Sequence, residues 1–264
     1  MLAVVYGITL YMAIDVWLVF YDEIVDEGLL AELRRLLTDA EREQEQHFYF
    51  ADDRKRHLVT RAMVRTVLSR YEAVAPSDWV FAVNRYGRPE IANSVATNAG
   101  ELCFNLSHTR SLIALSVTRG GAVGIDVENV VTRAASIGIA ERFFSPSEAA
   151  ALSRVPPERQ SDRFFEYWTL KESYIKARGM GLSIPLEQFS FEFPHERGIR
   201  LEIDPKLGDE AGRWRFWQFR PRPEYQLALC AERVGHEVPS LTFRRLVFPD
   251  REEVLDLTVA RASE

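Results

Sequence analysis

Apolar and polar residues follow two different periods along this chain, and these periods predict its strands and helices. Residues 16–21 form a continuous apolar run, which is typical of a buried strand. Apolar positions recur at helical spacing over residues 29–37 and again over residues 38–71, where a break is expected near Asp52. Two further strands are predicted at residues 101–106 and 112–118.

The second part of the chain again combines strands with one long helix. Ser145 can cap a helix, because a proline that fits the first helical position follows it and Glu148 can bond back to it. The most strongly patterned helix covers residues 162–178, and Gly179 suits its C-terminal cap. The tail at residues 244–264 shows no clear pattern. Strands are predicted at residues 122–128, 189–193, 199–203, 214–219 and 226–231.

This arrangement predicts an α+β fold made of two halves. Neither half shows the regular strand–helix alternation of a parallel sheet. Gly120 and Gly121 mark the boundary, which gives an N-terminal half at residues 1–121 and a C-terminal half at residues 122–264.

The first residues resemble a membrane segment in length but not in composition. Residues 1–21 hold one charge, Asp15, and approach the length of a membrane span. A buried strand is favoured, because no Lys or Arg precedes the run and Asp15 would be costly inside a bilayer. Met12 is a second candidate start, in which case residues 1–11 would not belong to the natural protein. N-terminal sequencing of the native protein distinguishes the two starts.

Composition narrows the class of protein. The 264 residues are 47% hydrophobic and 27% charged, which is ordinary for a globular protein. A net charge of −6 argues against nucleic acid and anionic membranes as partners. Cys103 and Cys230 have neither metal spacing nor disulfide density, so we expect buried thiols in a reducing cytoplasm.

Two acidic residues on one predicted strand are candidates for metal binding. Asp126 and Glu128 project from the same face, with carboxylates about 5 to 7 Å apart. Such a pair suits Mg²⁺, which binds a few carboxylate oxygens together with water and phosphate. The alternative is an edge strand with a solvated acidic face. For a single pair of carboxylates without further evidence, this alternative is favoured over a metal site. On the long helix, Glu172 and Lys176 lie one turn apart beside Trp168, and an ordinary surface ion pair explains them equally well.

Five motifs together resemble the 4′-phosphopantetheinyl transferase family, specifically its Sfp-type branch. The sequence GIDVE alone is a weak signal, but GIDVE followed at this distance by W-T-x-K-E-S-x-x-K is highly specific. Strong similarity covers residues 81–191. The motifs are NRYGRP at 84–89, FNLSHT at 104–109, GIDVE at 124–128, FFSPSE at 143–148 and WTLKESYIKA at 168–177.

The resemblance implies a pseudo-dimer of two similar α+β halves in one chain, with coenzyme A bound in the cleft between them. It implies transfer of 4′-phosphopantetheine from coenzyme A, the co-substrate, to a serine of an apo acyl or peptidyl carrier protein. Adenosine 3′,5′-bisphosphate would be released. We also expect a monomer. Phosphoryl transfer of this kind depends mainly on positioning and charge neutralisation.

Residue by residue, the resemblance implies a site shared by the strand and the helix. Asp126, Glu128 and Glu172 would bind Mg²⁺ on the coenzyme A pyrophosphate. Glu172 would also accept the serine proton, and Lys176 would neutralise phosphate charge. His108 is implied both as a catalytic and as a coenzyme A-binding residue.

The coenzyme A phosphates would be held by further residues. Ser107 and His108 would contact the pyrophosphate or the adenosine bisphosphate. Arg88 stands where the family usually has Lys and would still bind a phosphate. The 3′-phosphate would rely on Arg56, His57 and Arg88.

The N-terminal half departs from the family pattern. Glu41 and Gln44 stand where many relatives carry a basic pair, and His57 replaces a small hydroxyl residue. Lys55 is a further phosphate candidate, although a solvated helix face explains it better.

The segment after the long helix has two interpretations. In the family, this neighbourhood grips the carrier protein through apolar contacts. Met180, Leu182 and Ile184 are expected to be exposed for this purpose, but a loop leading into a strand is an equal alternative.

Two rival functions remain open at this stage. A metal-dependent phosphodiesterase or nuclease also uses carboxylates with a lysine. A binding protein could retain the nucleotide cleft without turnover, although the intact set of acidic residues and lysine argues against it.

Overall fold

A computed structural model describes residues 13–93, 101–132, 137–235 and 237–263 of the chain. Residues 1–11 and the alternative start at Met12 therefore lie outside the described part. Helices are α1 Glu27–Arg34, α2 Asp39–His47, α3 Ala51–Leu68, α4 Ile137–Phe143, α5 Pro146–Ser153 and α6 Pro157–Arg178. Strands are β1 Ala13–Phe20, β2 Phe81–Val83, β3 Pro89–Ile91, β4 Leu102–Thr109, β5 Leu112–Arg119, β6 Val123–Asn129, β7 Phe189–Glu192, β8 Gly198–Ile203, β9 Trp214–Phe219, β10 Tyr225–Glu232, β11 Ser240–Val247, β12 Arg251–Leu255 and β13 Arg261–Ser263.

The strands form two main sheets, which confirms the α+β class. One sheet has the order β12-β11-β1-β5-β4 and the other has the order β6-β10-β9-β13-β8-β7, while β2 and β3 pair separately. Most pairs are antiparallel, and the parallel ones join β1 to β11 and β8 to β13. The predicted boundary between residues 121 and 122 falls in the turn between β5 and β6.

Alternating side chains of β1 divide the core between two layers. Trp17 and Val19 pack toward α3, in the same cluster as Leu58 of that helix. Val16 and Leu18 face the other way and join a cluster that includes apolar residues of β6, β9 and β10. This period of two is what a strand buried on both faces requires. The opposite face of the second sheet packs against α6.

The helices were largely predicted, with differences at their ends. The break in the 38–71 stretch lies at residues 48–50, just before Asp52. Helix α6 begins at Pro157, five residues earlier than predicted, and ends before Gly179, whose φ of 65° suits a left-handed cap. Within the described ranges, no helix is long and apolar enough to cross a membrane.

The tail contributes strands to both sheets. Strand β11 lies parallel to β1 in the first sheet, and β13 is inserted between β9 and β8 in the second. Only Phe243 and Leu246 of β11 are buried, a spacing of three residues that conceals a strand from pattern analysis. Arg261 of β13 forms an ion pair with Glu166 of α6 at 2.7 Å.

Candidate active site

The site begins where the edge strands of the two sheets, β4 and β6, run side by side. Alternate residues of β4 point toward β6, because side chains on a strand repeat every second position. Their oxygens replace the backbone carbonyls that a neighbouring strand would offer. Asn105, Ser107 and Thr109 accept hydrogen bonds from the backbone amides of residues 125, 127 and 129 at 2.9, 3.2 and 3.0 Å.

Helix α6 lies directly on β6 at Gly124. A Cβ atom at this position would lie 2.1 Å from the carbonyl oxygen of Ser173 and 2.4 Å from the backbone nitrogen of Ala177. Real Cβ contacts of this length do not occur, so only glycine allows the helix to approach. Lys176 lies between Ser173 and Ala177 in the sequence, so this contact also positions Lys176 on β6. There it lies beside Asp126, two residues after Gly124 on the same face of the strand.

Lys176, Asp126 and Ser107 form a connected polar group. The Nζ of Lys176 donates to the Oδ1 of Asp126 at 2.7 Å, to the Oγ of Ser107 at 2.9 Å and to the carbonyl of Ile125 at 3.2 Å. The Oγ of Ser107 in turn donates to the Oδ1 of Asp126 at 2.9 Å. The side chain of Asp126 is 7% exposed and that of Lys176 is 25% exposed, so the ion pair is only partly open to water.

The second oxygen of Asp126 points to a missing ligand. Its Oδ2 is buried and has no hydrogen-bond partner among the described residues. A buried carboxylate oxygen without a partner is costly, and a cation or a substrate proton can satisfy it. Glu128 is buried at the next position on the same face, with 7% exposure. Glu172 is half-buried one helical turn before Lys176.

These carboxylates alone do not form a complete metal cage. Within the described ranges, no group of three His, Cys, Asp or Glu side chains is arranged so that it could hold a metal ion. The oxygen donors nevertheless suit Mg²⁺, which takes water and substrate phosphate as its remaining ligands. The buried Oδ2 of Asp126 therefore fits one contact to such an ion, while binding by Glu128 and Glu172 stays a prediction.

His108 lies at the end of β4 beside two cations. Desolvation by the surrounding protein lowers its pKa from the ordinary 6.5, and the positive charges of Arg56 and Lys176 lower this pKa further, while Asp126 opposes them. The influence of both cations shows that Arg56, His108 and Lys176 share one electropositive region. The imidazole of His108 is therefore neutral at pH 7, so one ring nitrogen can donate to a phosphate while the other can accept a proton.

The lowered pKa of His108 predicts a loss of stability in acid. The unfolded chain binds the proton at a higher pH than the folded chain does. The free energy of unfolding therefore decreases as the pH decreases. We expect the free energy of unfolding to decrease as the pH drops from about 7 to about 5, with a smaller slope in His108→Gln. Urea unfolding at a series of pH values measures this. An equal slope in the variant and in the natural protein would contradict the prediction.

Arg56 and His57 are neighbours in the sequence, but their side chains contact different residues. Arg56 donates to Asp53 at 2.6 Å, and its positive charge contributes to the lowered pKa of His108. His57 instead places its Nε2 3.0 Å from the carbonyl oxygen of Glu41 and packs against Phe48. The charge of Arg56 therefore acts on His108, whereas the ring of His57 contacts Glu41 of α2 and Phe48.

The acidic residue that replaces a basic one in α2 has a structural role. Glu41 completes the capping box with Thr38 and accepts from Arg65 at 2.8 Å. Gln44 is exposed. Lys55 contacts the carbonyl oxygen of Asp22 at 3.5 Å. None of these three residues shows a contact with the polar group around Asp126 in the described structure.

Arg88 contacts backbone rather than the polar group. Its Nη1 donates to the carbonyls of Lys176 and Ala177 at 2.7 and 3.1 Å. Its Nη2 donates to the carbonyls of Phe104 and Val123, both at 3.2 Å. Phosphate binding by Arg88 thus stays a prediction.

The prediction of exposed apolar residues after α6 is wrong for one residue. Ile184 is 2% exposed and lies in the core beneath the second sheet. Met180 is half-buried and packs against the same cluster. Ile184 therefore stabilises the fold and does not present a surface to a partner.

Sequence reasoning missed the residues that hold the site together. Asn105, Thr109 and Gly124 bring β4, β6 and α6 into contact, yet none carries the chemistry for which a sequence is searched. The available signal was the recurrence of Asn, Ser and Thr at every second position of a strand that begins with apolar residues.

Comparisons with known proteins match two separate parts of the chain. Residues 122–230 match the 4′-phosphopantetheinyl transferase superfamily, and residues 27–119 match 4′-phosphopantetheinyl transferase, N-terminal. A 4′-phosphopantetheinyl transferase of Bacillus subtilis is 32% identical over 213 residues, which is 81% of this chain and 90% of the relative. The 4′-phosphopantetheinyl transferase Sfp of Bacillus subtilis strain 168 is 32% identical over 74% of this chain and 82% of its own. The 4′-phosphopantetheinyl transferase HetI of Nostoc sp. strain PCC 7120 is 31% identical over 73% of this chain and 79% of its own.

Proposed function

Because this chain belongs to the 4′-phosphopantetheinyl transferase family, we propose that it transfers 4′-phosphopantetheine from coenzyme A to a serine of an apo carrier protein. The observation that carries the proposal is the contact of α6 with β6, which places Lys176 on Asp126 at the junction of the two sheets. Adenosine 3′,5′-bisphosphate is the second product.

The chemistry is a displacement at phosphorus. The serine oxygen forms a bond to the phosphorus nearer pantetheine, and the bond from that phosphorus to the bridging oxygen breaks. Glu172 accepts the serine proton, and Lys176 offsets the negative charge of the phosphates. His108 and Arg56, close to Lys176, add donors and positive charge for the departing bisphosphate.

We propose Mg²⁺ as the cofactor, with Asp126, Glu128 and Glu172 as the residues that would hold it. The ion would neutralise the pyrophosphate and orient it. The unpartnered Oδ2 of Asp126 supports this assignment. Omission of Mg²⁺ with added chelator should then abolish transfer, and restoring the ion should recover it.

A single chain supplies both sides of the proposed cleft, since β4 and β6 come from the two halves of one molecule. We therefore expect a monomer to be active. Cys103 and Cys230 are free thiols, which suits a reducing compartment such as the cytoplasm.

Mass spectrometry of a carrier protein tests the proposal. After incubation with the chain, coenzyme A and Mg²⁺, an apo carrier should gain about 340 Da on its serine, the mass of the transferred group. A carrier with that serine changed to alanine is the control and should not change. Fatty acid, polyketide and nonribosomal peptide carriers should be compared, because the substrate pathway is open. Coenzyme A binding without mass gain on any carrier would indicate a binding protein, and cleavage of oligonucleotides would indicate a nuclease.

A further inference from the structure

Arg88 occupies the turn that precedes β3, and its side chain reaches the backbone of β4, β6 and α6. The four Nη hydrogens are matched by four backbone carbonyls, those of Phe104 in β4, Val123 in β6, and Lys176 and Ala177 in α6. One guanidinium thus joins both edge strands to the end of the helix. An arginine has five N–H donors, so these carbonyls leave the Nε hydrogen as the one donor they do not use.

We propose that Arg88 is a positioning residue that fixes the C-terminal end of α6, and with it Lys176, against the two edge strands, and that it is not a ligand of the coenzyme A phosphates. The proposal rests on the proposed function, because Lys176 must have a role in transfer for its position to matter.

The electrostatics of the helix end favour this role. The last carbonyls of a helix have no N–H donor within the helix to bond them, and a positive charge there also stabilises the helix dipole. Two of the four carbonyls that Arg88 contacts belong to this last turn, and one of them is the carbonyl of Lys176 itself. Burial lowers the pKa of Arg88, as expected for a half-buried guanidinium bonded to backbone carbonyls.

The turn that carries Arg88 is itself tied to the helix end. Asn84 donates from its Nδ2 to the carbonyl of Gly179 at 3.0 Å, and its Oδ1 accepts from the backbone amide of Arg88 at 3.1 Å. A Cβ atom on Gly179 would lie 3.3 Å from the Cδ of Arg88. The turn and the helix cap therefore fit closely, and a mobile phosphate-binding arm would not need this arrangement.

The geometry also predicts different effects for arginine and lysine at position 88. A two-pronged phosphate grip needs two available N–H groups, whereas the Nη groups of Arg88 are both directed to carbonyls. A lysine keeps the charge but has one nitrogen, so it cannot span four carbonyls from three elements. A lysine would preserve phosphate binding but would lose the positioning.

The test compares Arg88→Lys and Arg88→Gln with Arg85→Gln, an exposed arginine of the same turn, as the matched control. Calorimetry measures the Kd of coenzyme A without carrier, and steady-state assays measure kcat and KM. Hydrogen exchange follows the amides of residues 173–180. We expect both Arg88 variants to lose about 10- to 100-fold in kcat, to keep the natural Kd within about twofold, and to exchange faster at the end of α6.

The opposite pattern overturns the proposal. It is wrong if Arg88→Gln weakens coenzyme A binding at least about tenfold while Arg88→Lys restores both Kd and kcat. Should Arg88→Gln not fold, Arg88→Lys and Asn84→Ala decide, since Asn84→Ala loosens the same helix end without touching the guanidinium. Binding and exchange do not need turnover. If the natural chain binds coenzyme A but transfers nothing, the proposed function is wrong, whereas binding and hydrogen exchange still test the role of Arg88.

Discussion

Replacing Asp126 with asparagine is expected to slow transfer by about 100- to 1,000-fold, because one buried atom change removes a charge at the centre of the site. The Oδ1 of Asp126 accepts from both Lys176 and Ser107. The Oδ2 is buried without a partner in the described structure and is the strongest indication of a bound cation. Asparagine keeps the shape, but its amide cannot offer a negative oxygen on both sides.

The measurement is the rate of mass gain on the carrier at saturating coenzyme A. Asp39→Asn is the matched control, because the side chain of Asp39 is 99% exposed at the start of α2 and should not affect the rate. Glu172→Gln makes the same change on the helix and should also abolish transfer if Glu172 accepts the serine proton. An Asp126→Asn rate within about threefold of the natural rate would remove this carboxylate from the mechanism.

The face and the burial of the strand carboxylates illustrate what a sequence can predict. The period of two placed Asp126 and Glu128 on one face. Both are nearly fully buried, at 5% and 7% exposure, so the alternative of a solvated acidic edge is wrong. Lys176 also has a partner that its own helix does not supply, because its nitrogen bonds to Asp126 in β6. Local periodicity determines direction, whereas the partner across the sheet depends on the whole fold.

The residues that sequence placed less well share one physical feature. The roles predicted for Arg88, His57 and Ile184 came from the family resemblance, but the surroundings of these residues come from other segments of the chain. Arg88 meets carbonyls about 90 positions further along the chain, and His57 turns toward α2. Ile184 was expected outside and packs inside, because the chain returns beneath the second sheet on its way to β7. A side chain type and a spacing do not determine such contacts.

Lys171 belongs to the longest motif but serves the fold. Its Nζ lies 2.7 Å from Glu148, both side chains are 0% exposed, and it also donates to the carbonyls of Leu186 and Phe189. Lys171→Met should lower the free energy of unfolding by about 3–5 kcal/mol, because Glu148 would stay buried without its counter-charge. Urea unfolding measures the loss. A change below about 1 kcal/mol would contradict the inferred role of the pair.

The double variant Lys171→Met with Glu148→Gln separates the charge from the packing. Glutamine keeps an acceptor for the amide of Phe191, to which Glu148 now bonds at 2.9 Å. We expect the double variant to recover at least about half of the loss, since a buried pair is replaced more safely than it is broken. Arg200→Met is the exposed control. Its ion pair with Glu192 is 60% and 43% exposed, so it should change stability by less than about 1 kcal/mol. Recovery in the double variant would mean that the pair is needed for its mutual neutralisation, whereas no recovery would mean that the hydrogen bonds of the Lys171 ammonium to the two carbonyls hold α6 against β7.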